Sequence, residues 1–515
     1  MPQAVQEIGG RLYVYEYKSI WNKQKQRSEQ KRVYIGRIIN DVFVPNEKYL
    51  LTQELHKAER ATFSGQRLFA GATYLLDQIS DSLGLEADLK YCFPHIYQEI
   101  LSLSYYLALE PASPLYRFKR WAACHQHPGH KEISSQRSSE LLGMITEAAK
   151  TEFLHRQARR RVENEYWFYD CTSISSYSQQ LKQVKYGKNK EGDCLAQINL
   201  ALLLGGVSGL PAYYRKLPGN ITDVMTIQSL LKGIDGLNPG NIRVVMDRGF
   251  YSAQNTDDLY NSQHSFIMGA KISLKYIQAV LDSQRATFEQ FENYDAESAL
   301  FIKRRRIDWP PAGIKSACPE KRSLFIHFYY NSQLAADEKT RFLKTLDIWQ
   351  NELSLGKRRK EHEKSYAKYF YLQGTTIKAK QAVIDQATKN DGFFVLLTNE
   401  EIDSTEALKI YRSKDLIEKS FSDLKERLNM RRACVSSEEN LEGKLFIQYI
   451  GLIYLSYIKR AMDKAGLFKH YTMQELFDEL DVIELYKPSN TAAYYGEITD
   501  KQKKIFSALG VKAPS

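Results

Sequence analysis

Two aspartates directly follow short apolar runs that have the composition of buried β-strands. Asp170 comes after residues 166–169, and Asp247 comes after residues 242–246. A carboxylate at a strand end is held on rigid backbone and points into the crevice where α/β proteins bind ligands. Two such acids on neighbouring strands can share hard cations, because Mg²⁺ prefers one or two carboxylates plus water and substrate phosphates. The pair predicts a cation site suited to phosphodiester chemistry, in which two metal ions activate the attacking oxygen and stabilise the leaving one.

A third carboxylate is expected from a helix that begins at Tyr411. At about 100° per residue, Lys414, Glu418 and Lys425 fall on the same face as Tyr411. That face lies next to an apolar stripe made of Ile417, Phe421, Leu424 and Leu428. Asp415 is the rival for the third position, but Glu418 lies closer to the stripe. A lone acid is more often a cap or a turn residue, so the hypothesis of a catalytic site depends on Asp170, Asp247 and Glu418 together.

The elements around the two aspartates occur in a recognisable order. Three strands are predicted near residues 166–169, 197–204 and 212–217, then a helix after 222, a strand at 242–246, a helix near 253–260 and a strand at 265–268. The first three strands can form an antiparallel meander, and the later ones need helical crossovers. This order is typical of the ribonuclease-H-like α/β core.

The remaining segments divide into flanking regions with different character. The fold class predicted is α/β, with a ribonuclease-H-like catalytic core, an inserted mixed β/α subdomain and a helical N-terminal region. The predicted regions are a β-hairpin region at 1–64, a helical region at 65–160 that is expected to bind DNA, the first part of the core at 161–282, the insertion at 283–390, the second part of the core with the Glu helix at 391–460, and a helical C-terminal region at 461–515.

Charge and composition narrow the class of partner. The 515 residues carry 72 Lys and Arg against 61 Asp and Glu, a net charge of +11, which favours a polyanion such as nucleic acid or an anionic membrane. The most apolar stretch, 445–458, is about 14 residues long, whereas a membrane span needs about 20, so no membrane partner is expected. No secretion signal is visible at the start, and the six cysteines form no CxxC pair. A reducing cytoplasm is therefore expected.

Two N-terminal features are candidates for DNA contact. The turn of the hairpin predicted within 11–39 is basic, and it is interpreted with equal weight as a DNA-contacting finger or a solvated loop. Its basic residues are Lys23, Lys25, Arg27, Lys31 and Arg32. The helical region ends in a second basic group, made of Arg156, Arg159, Arg160 and Arg161.

Roughly residues 160–460 resemble the DDE transposases of bacterial insertion sequences, in the group with a β-rich insertion before the catalytic Glu. The most specific motif of that group is Tyr, two residues, Arg, three residues, Glu, six residues, Lys. It stands here as Tyr411, Lys414, Glu418 and Lys425, with Lys414 in place of the usual Arg. Lys keeps the charge but lacks the bidentate phosphate geometry of Arg, and the neighbouring Arg412 could compensate. Residues 169–172, 219–223, 247–250 and 392–398 resemble further motifs of the group in the same order.

The resemblance implies a DNA transposase that cuts transposon ends and joins them to target DNA. Asp170, Asp247 and Glu418 would bind two Mg²⁺ ions, for which Mn²⁺ can substitute. The DNA backbone would be held by Tyr411, Arg412, Lys414, Lys425 and Arg248. The resemblance also implies a homodimer on double-stranded DNA, in a bacterial cytoplasm and associated with the nucleoid. Two alternatives stay open: a metal-dependent nuclease without strand transfer, and a DNA-binding derivative without catalysis.

Overall fold

A computed structural model of the chain describes residues 3–22, 27–62, 65–160, 165–190, 192–237, 242–316, 321–373, 376–488 and 492–515. Two compact units divide the chain: 1–68 with 484–497 and 515, and 69–483 with 498–514. Within the described ranges, none of the helices combines the length and apolar character that a membrane span requires.

The β-strands are, in chain order, β1 (Gln3–Ile8), β2 (Arg11–Asn22), β3 (Arg27–Ile39), β4 (Val42–Pro45), β5 (Gly65–Phe69), β6 (Tyr166–Ser175), β7 (Gln197–Gly205), β8 (Pro211–Pro218), β9 (Arg243–Met246), β10 (Ser265–Ala270), β11 (Tyr294–Asp295), β12 (Leu300–Trp309), β13 (Arg322–Tyr330), β14 (Phe370–Gln373), β15 (Thr376–Ala379), β16 (Phe393–Thr398), β17 (Glu484–Pro488) and β18 (Tyr494–Tyr495).

The α-helices are α1 (Glu47–Thr62), α2 (Gly71–Leu83), α3 (Leu85–Cys92), α4 (Tyr97–Leu109), α5 (Phe118–Ala122), α6 (Ser135–Met144), α7 (Glu147–Arg159), α8 (Asp223–Leu237), α9 (Ala253–Asn261), α10 (Lys275–Gln284), α11 (Ser332–Ser354), α12 (Glu363–Tyr369), α13 (Gln381–Thr388), α14 (Ser404–Arg412), α15 (Asp415–Ser422), α16 (Glu438–Lys464), α17 (Met473–Asp481) and α18 (Asp500–Ala508).

The first unit contains the hairpin predicted within 11–39. Strands β2 and β3 pair antiparallel from Leu12 opposite Ile38 to the last pair before the turn, and β1 and β4 extend the sheet on either side. Lys23 and Lys25, two residues of the predicted finger, lie outside the described residues. A three-stranded sheet of β18, β17 and β5 shows that the C-terminal region, predicted as helical, also contributes strands to this unit.

The second unit is built on a nine-stranded sheet in the order β11-β12-β13-β16-β10-β9-β6-β7-β8. Strands β6, β7 and β8 form the predicted antiparallel meander, and β9 and β10 continue the sheet parallel to β6. All nine residues of β7 are buried, which explains its nearly continuous apolar sequence. The order of strands and of the crossover helices α8 and α9 is the predicted one and is consistent with a ribonuclease-H-like core.

The segment 283–390 differs from the prediction of a separate inserted subdomain. Strands β11, β12 and β13 join the central sheet, because β13 pairs along six residues with β16. The rest of the segment, from α11 to α13, has a small core of its own around Leu346, Tyr369, Phe370 and Ile384. Local sequence patterns do not encode which strands pair, so the shared sheet could not be read from the apolar runs.

A layer of helices covers the meander. The long helix α16 packs against α4, α6 and β8, and it contains the apolar stretch 445–458. In the helical region predicted at 65–160, residues 135–159 form two helices, α6 and α7. Ser134 and Thr146 each accept a hydrogen bond from a backbone amide of the helix that follows, so the chain restarts a helix at the second cap.

Candidate active site

Asp170 and Asp247 lie side by side at one edge of the parallel part of the sheet. The parallel pairing of β6 with β9 ends at Tyr169 opposite Met246, so each aspartate is the next residue along its strand direction. The structure corrects one detail: Asp170 does not follow a strand but is the fifth residue of β6. Because β7 continues to pair with β6 as far as Ser175, the strand extends beyond the point where its other neighbour stops.

Asp247 is the best connected of the predicted acids. Its Oδ1 accepts hydrogen bonds from the hydroxyl of Tyr411 at 2.7 Å and from the backbone amide of Arg248 at 2.8 Å. The ammonium of Lys414 is 3.5 Å from its Oδ2. Burial would raise the pKa of Asp247, but the Tyr411 hydroxyl and the Lys414 charge together lower the pKa below its ordinary value. The carboxylate is therefore ionised and ready for a cation.

Asp170 is held differently, with its side chain only 20% exposed. Its Oδ1 accepts a 2.7 Å hydrogen bond from the amide of Cys171, and the ammonium of Lys190 lies 3.6 Å away. Burial raises the pKa of Asp170 above its ordinary value, although Lys190 opposes the shift. Asp170 thus depends on a nearby positive charge to remain ionised.

The helix predicted to begin at Tyr411 is interrupted just after that residue. Helix α14 ends at Arg412, α15 starts at Asp415, and a π-helical turn, Asp423–Arg427, ends the segment. At the break the backbone amides of Ser413 and Lys414 donate to the carbonyls three residues earlier, those of Ile410 and Tyr411. One continuous α-helical face from Tyr411 to Lys425 is therefore not present, because the α-helical pattern is interrupted between them.

Tyr411 nevertheless reaches the site, because Gly269 on β10 leaves room for it. A Cβ atom added at Gly269 would lie 2.9 Å from the Tyr411 hydroxyl oxygen. Any side chain there would push the tyrosine away from Asp247. The break in the helix and the glycine together bring both Tyr411 and Lys414 onto the same carboxylate.

Glu418 is connected to the aspartates through Lys414. The Lys414 ammonium lies 3.7 Å from Oε1 of Glu418 and 3.5 Å from Oδ2 of Asp247, so it bridges the two acids. The side chain of Glu418 is 58% exposed. The rival Asp415 instead forms a 2.6 Å ion pair with Lys419 on the surface of α15. The contacts thus favour Glu418 over Asp415 as the third acid of this group.

Of the other predicted DNA-binding residues, Arg248 lies beside the acids, whereas Arg412 and Lys425 lie on the segment that carries Glu418. Arg248 is exposed, starts a 3-10 turn directly after Asp247 and lines the cleft described next. Arg412 is exposed in the last turn of α14, and Lys425 is partly exposed in the π-helical turn.

Sequence reasoning missed two residues of the site, Lys190 and Asp223. The Lys190 ammonium lies 3.5 Å from Oδ2 of Asp223 as well as 3.6 Å from Asp170. Both residues line a cleft of about 1100 Å³, which Asp247 and Tyr411 also line. Asp223 could have been found, since it is the last residue of the segment 219–223, which resembles a family motif. Lys190 lies in a polar loop that has no periodic pattern.

Oxygen ligands of this kind suit a hard divalent cation. Among the residues that the structure describes, no three His, Cys, Asp or Glu side chains stand close enough to hold a metal ion together. Two ammonium groups lie between the carboxylates instead: Lys190 between Asp170 and Asp223, and Lys414 between Asp247 and Glu418. Since each acid pair already attracts a cation, the donor set fits divalent metal, and binding would require the lysines to move.

Comparison with known proteins is consistent with this geometry. None of the curated protein sequences matches the chain. A solved structure that matches part of the chain is titled "Cryo-EM structure of piggyBac transposase synaptic complex with hairpin DNA"; its TM-score is 0.35 at 10% sequence identity, with 67% of this chain covered. The match spans 57% of the length of that chain. Residues 167–454, more than half of the sequence, match the family model described as "Transposase DDE domain". The chain therefore belongs to the family of transposases with a DDE domain.

Proposed function

We propose that this protein is a DNA transposase that cuts the ends of a mobile element and joins them to target DNA. The observation that carries the proposal is the contact between the two halves of the site. Tyr411 and Lys414, from the segment that carries Glu418, both bind Asp247 at the edge of the sheet. Residues 164 positions apart in the sequence are thus brought together within hydrogen-bond distance.

Transposases of this family act with divalent metal ions. In this chain Asp170, Asp247 and Glu418 would hold the metal, and we propose Mg²⁺ because all the donors are carboxylate oxygens. When bound, divalent ions activate the attacking oxygen and stabilise the leaving oxygen of an in-line displacement. Tyr411 orients Asp247 through its hydroxyl, so that one carboxylate oxygen is fixed and the other faces Lys414.

The cationic residues around the acids would bind the DNA backbone. Lys414 and Arg248 contribute positive charge beside the carboxylates, and Lys188 and Lys271 add charge to the cleft. We propose that Arg412 and Lys425 extend this charge along the segment that carries Glu418. Phosphate contacts of this kind dominate DNA affinity and make it depend steeply on salt. Lys414 donates as a point charge where the family motif has Arg, so precise phosphate orientation falls to Arg412.

The finer assignment follows the sequence motif. We propose that the chain belongs to the bacterial insertion-sequence transposases with the Tyr-Arg-Glu-Lys motif, and that it acts as a homodimer on paired ends of double-stranded DNA. Tyr411, Lys414, Glu418 and Lys425 are the residues of that motif.

The test is cleavage of duplex DNA that carries the cognate element ends, in the presence of Mg²⁺. Asp170→Ala and Glu418→Ala are expected to abolish cleavage, whereas Asp415→Ala, the control on the same helix, should cleave normally. Intact cleavage by Asp170→Ala or Glu418→Ala would refute the assignment of the acids. Cleavage without joined products would reduce the function to that of a nuclease, and binding without turnover in Mg²⁺ or Mn²⁺ to that of a DNA-binding protein.

A further inference from the structure

The loop between β6 and β7 brings Lys190 to the acids and is fastened to β6, the strand that carries Asp170. The backbone amide of Lys190 donates to Ser173 Oγ at 3.2 Å. Its neighbour Asn189 donates to Asp193 at 2.6 Å, and Asp193 in turn pairs with Arg432 at 2.8 Å. These contacts fix the backbone of Lys190, so the loop places its side chain within reach of Asp170.

The ammonium of Lys190 makes one short bond and two longer contacts. It donates to the carbonyl oxygen of Cys171 at 2.5 Å, while the carboxylates of Asp170 and Asp223 are 3.6 and 3.5 Å away. Burial lowers the pKa of Lys190, but the two carboxylates raise it above its ordinary value, so the group carries its charge. The backbone carbonyl anchors the ammonium, and its attraction to the acids is electrostatic.

Asp223 belongs to the same site although it starts a different element, helix α8. Its Oδ2 lies 3.4 Å from the position of a Cβ atom added at Gly249, in the segment directly after Asp247. The helix start and the strand end are therefore in contact. Without a cation between them, Asp170 and Asp223 would expose two negative charges to each other in a partly buried place.

We propose that Lys190 is a positioning residue for metal binding: it holds Asp170 and Asp223 in place while no divalent cation is bound, and it competes with that cation for Asp170. The inference rests on the proposed function, because it assigns Lys190 a role at the same metal site. This role differs from that of Lys414, because the place of Lys414 in the family motif predicts a contact with phosphate.

The test is the affinity of the full-length protein for Mn²⁺, measured by titration calorimetry without DNA. Lys190→Met should bind Mn²⁺ more tightly than the unchanged protein, by at least about threefold, because the competing charge is gone. Lys190→Arg keeps the charge and should bind no more tightly than the unchanged protein. Lys389→Met is the matched control, since Lys389 is 35% exposed against 36% for Lys190 and pairs with Asp282 away from the cleft.

Thermal unfolding provides a second readout that does not depend on activity. Without metal, Lys190→Met should melt at a lower temperature, since Asp170 and Asp223 then repel each other. Saturating Mn²⁺ should raise its melting temperature by more than it raises that of the unchanged protein.

Equal or weaker Mn²⁺ binding by Lys190→Met would overturn the inference alone, provided that Asp170→Ala abolishes binding in the same assay. If the unchanged protein binds no Mn²⁺ and shows no cleavage with DNA, the proposed function itself fails, and the inference fails with it.

Discussion

Two groups of charged residues in the second unit use aspartate in opposite ways. In the helical layer, the fully buried Asp88 accepts hydrogen bonds from Arg156, Gln157 and Arg160, with lengths between 2.7 and 3.1 Å. At the edge of the sheet, the ammonium groups of Lys190 and Lys414 lie 3.5 to 3.7 Å from their carboxylates, beyond normal hydrogen-bond length.

A structural ion cluster differs from one that can bind a ligand in how completely hydrogen-bond donors fill its carboxylate oxygens. Around Asp88 both carboxylate oxygens are filled by planar donors from α7 and the residue after it, which leaves no coordination for an external ligand. At the candidate active site the ammonium groups of Lys190 and Lys414 each lie near two carboxylates, and neither ammonium makes a short hydrogen bond to them. The first arrangement ties α7 to α3, and the second can exchange its cations.

The same contrast bears on the prediction for the N-terminal helical region. The arginines at the end of α7 were predicted as part of a DNA-binding region. Arg156 and Arg160 both pair with Asp88, so these two side chains hold α7 against α3. Arg161 lies outside the described residues, and DNA binding by this region stays a prediction.

The largest expected effect is on catalysis at the acids of the candidate active site. Asp247→Asn should lower the rate of DNA cleavage by about a hundredfold to a thousandfold, because it removes the charge that would bind metal. The melting temperature should change little, since Asn can still accept the hydrogen bond from Tyr411. Single-turnover cleavage with Mg²⁺ measures the rate. Activity within about threefold of the unchanged protein would show that Asp247 is not part of the catalytic machinery.

The next largest effect is on the stability of the protein and comes from the ion cluster around Asp88. Asp88→Asn should lower the free energy of unfolding by about 2 kcal/mol, because two arginines lose their carboxylate partner. The value is toward the low end for a broken ion pair, since the Arg156 and Arg160 side chains are 31% and 44% exposed. Chemical denaturation measures it, and the cleavage rate of the folded protein should be unchanged. A stable variant that has lost activity would contradict the structural role.

A smaller effect, which depends on pH, is expected at Asp77 in the same helical layer. Burial raises the pKa of Asp77 to about 7, although the hydroxyl of Tyr105 donates a 2.8 Å hydrogen bond to it. The folded state therefore keeps a proton that the unfolded state loses above about pH 4, so this stabilisation declines as pH rises and is gone above about pH 7.

Asp77→Asn mimics the protonated form and should remove this decline. Its melting temperature should be close to that of the unchanged protein at about pH 4 and higher than it at about pH 8. A difference that stays constant over this range would show that Asp77 does not titrate in the folded protein.

The smallest expected effect is on DNA affinity outside the acid pairs. Lys425→Ala should weaken binding of duplex DNA severalfold and reduce the slope of log affinity against log salt by about 1, as for the loss of one phosphate contact. Fluorescence anisotropy between about 50 and 200 mM salt gives the slope. An unchanged slope would remove Lys425 from the DNA-binding surface.

The sequence predicted the parts of this fold that depend on local pattern. The apolar runs of β6, β7 and β9 predicted the order of these strands along the chain. These signals are readable because each depends on neighbouring residues in the chain.

Features that depend on tertiary contact were not readable in the same way. The pairing of β13 with β16 merges the insertion with the core, and the break at Ser413 places Tyr411 on Asp247. Likewise, only folding brings Lys190 between Asp170 and Asp223. The aspartates themselves were predictable because they follow strand signals, whereas their cationic partners come from a loop and a helix break.

The most direct test of the account is a crystal structure of the protein soaked in Mn²⁺, with anomalous scattering used to locate the ion. The account predicts an anomalous peak in contact with carboxylate oxygens of Asp170 and Asp247, with Glu418 turned toward it and the ammonium groups of Lys190 and Lys414 moved away. An ion bound elsewhere, with both lysines still between the acids at saturating Mn²⁺, would contradict it.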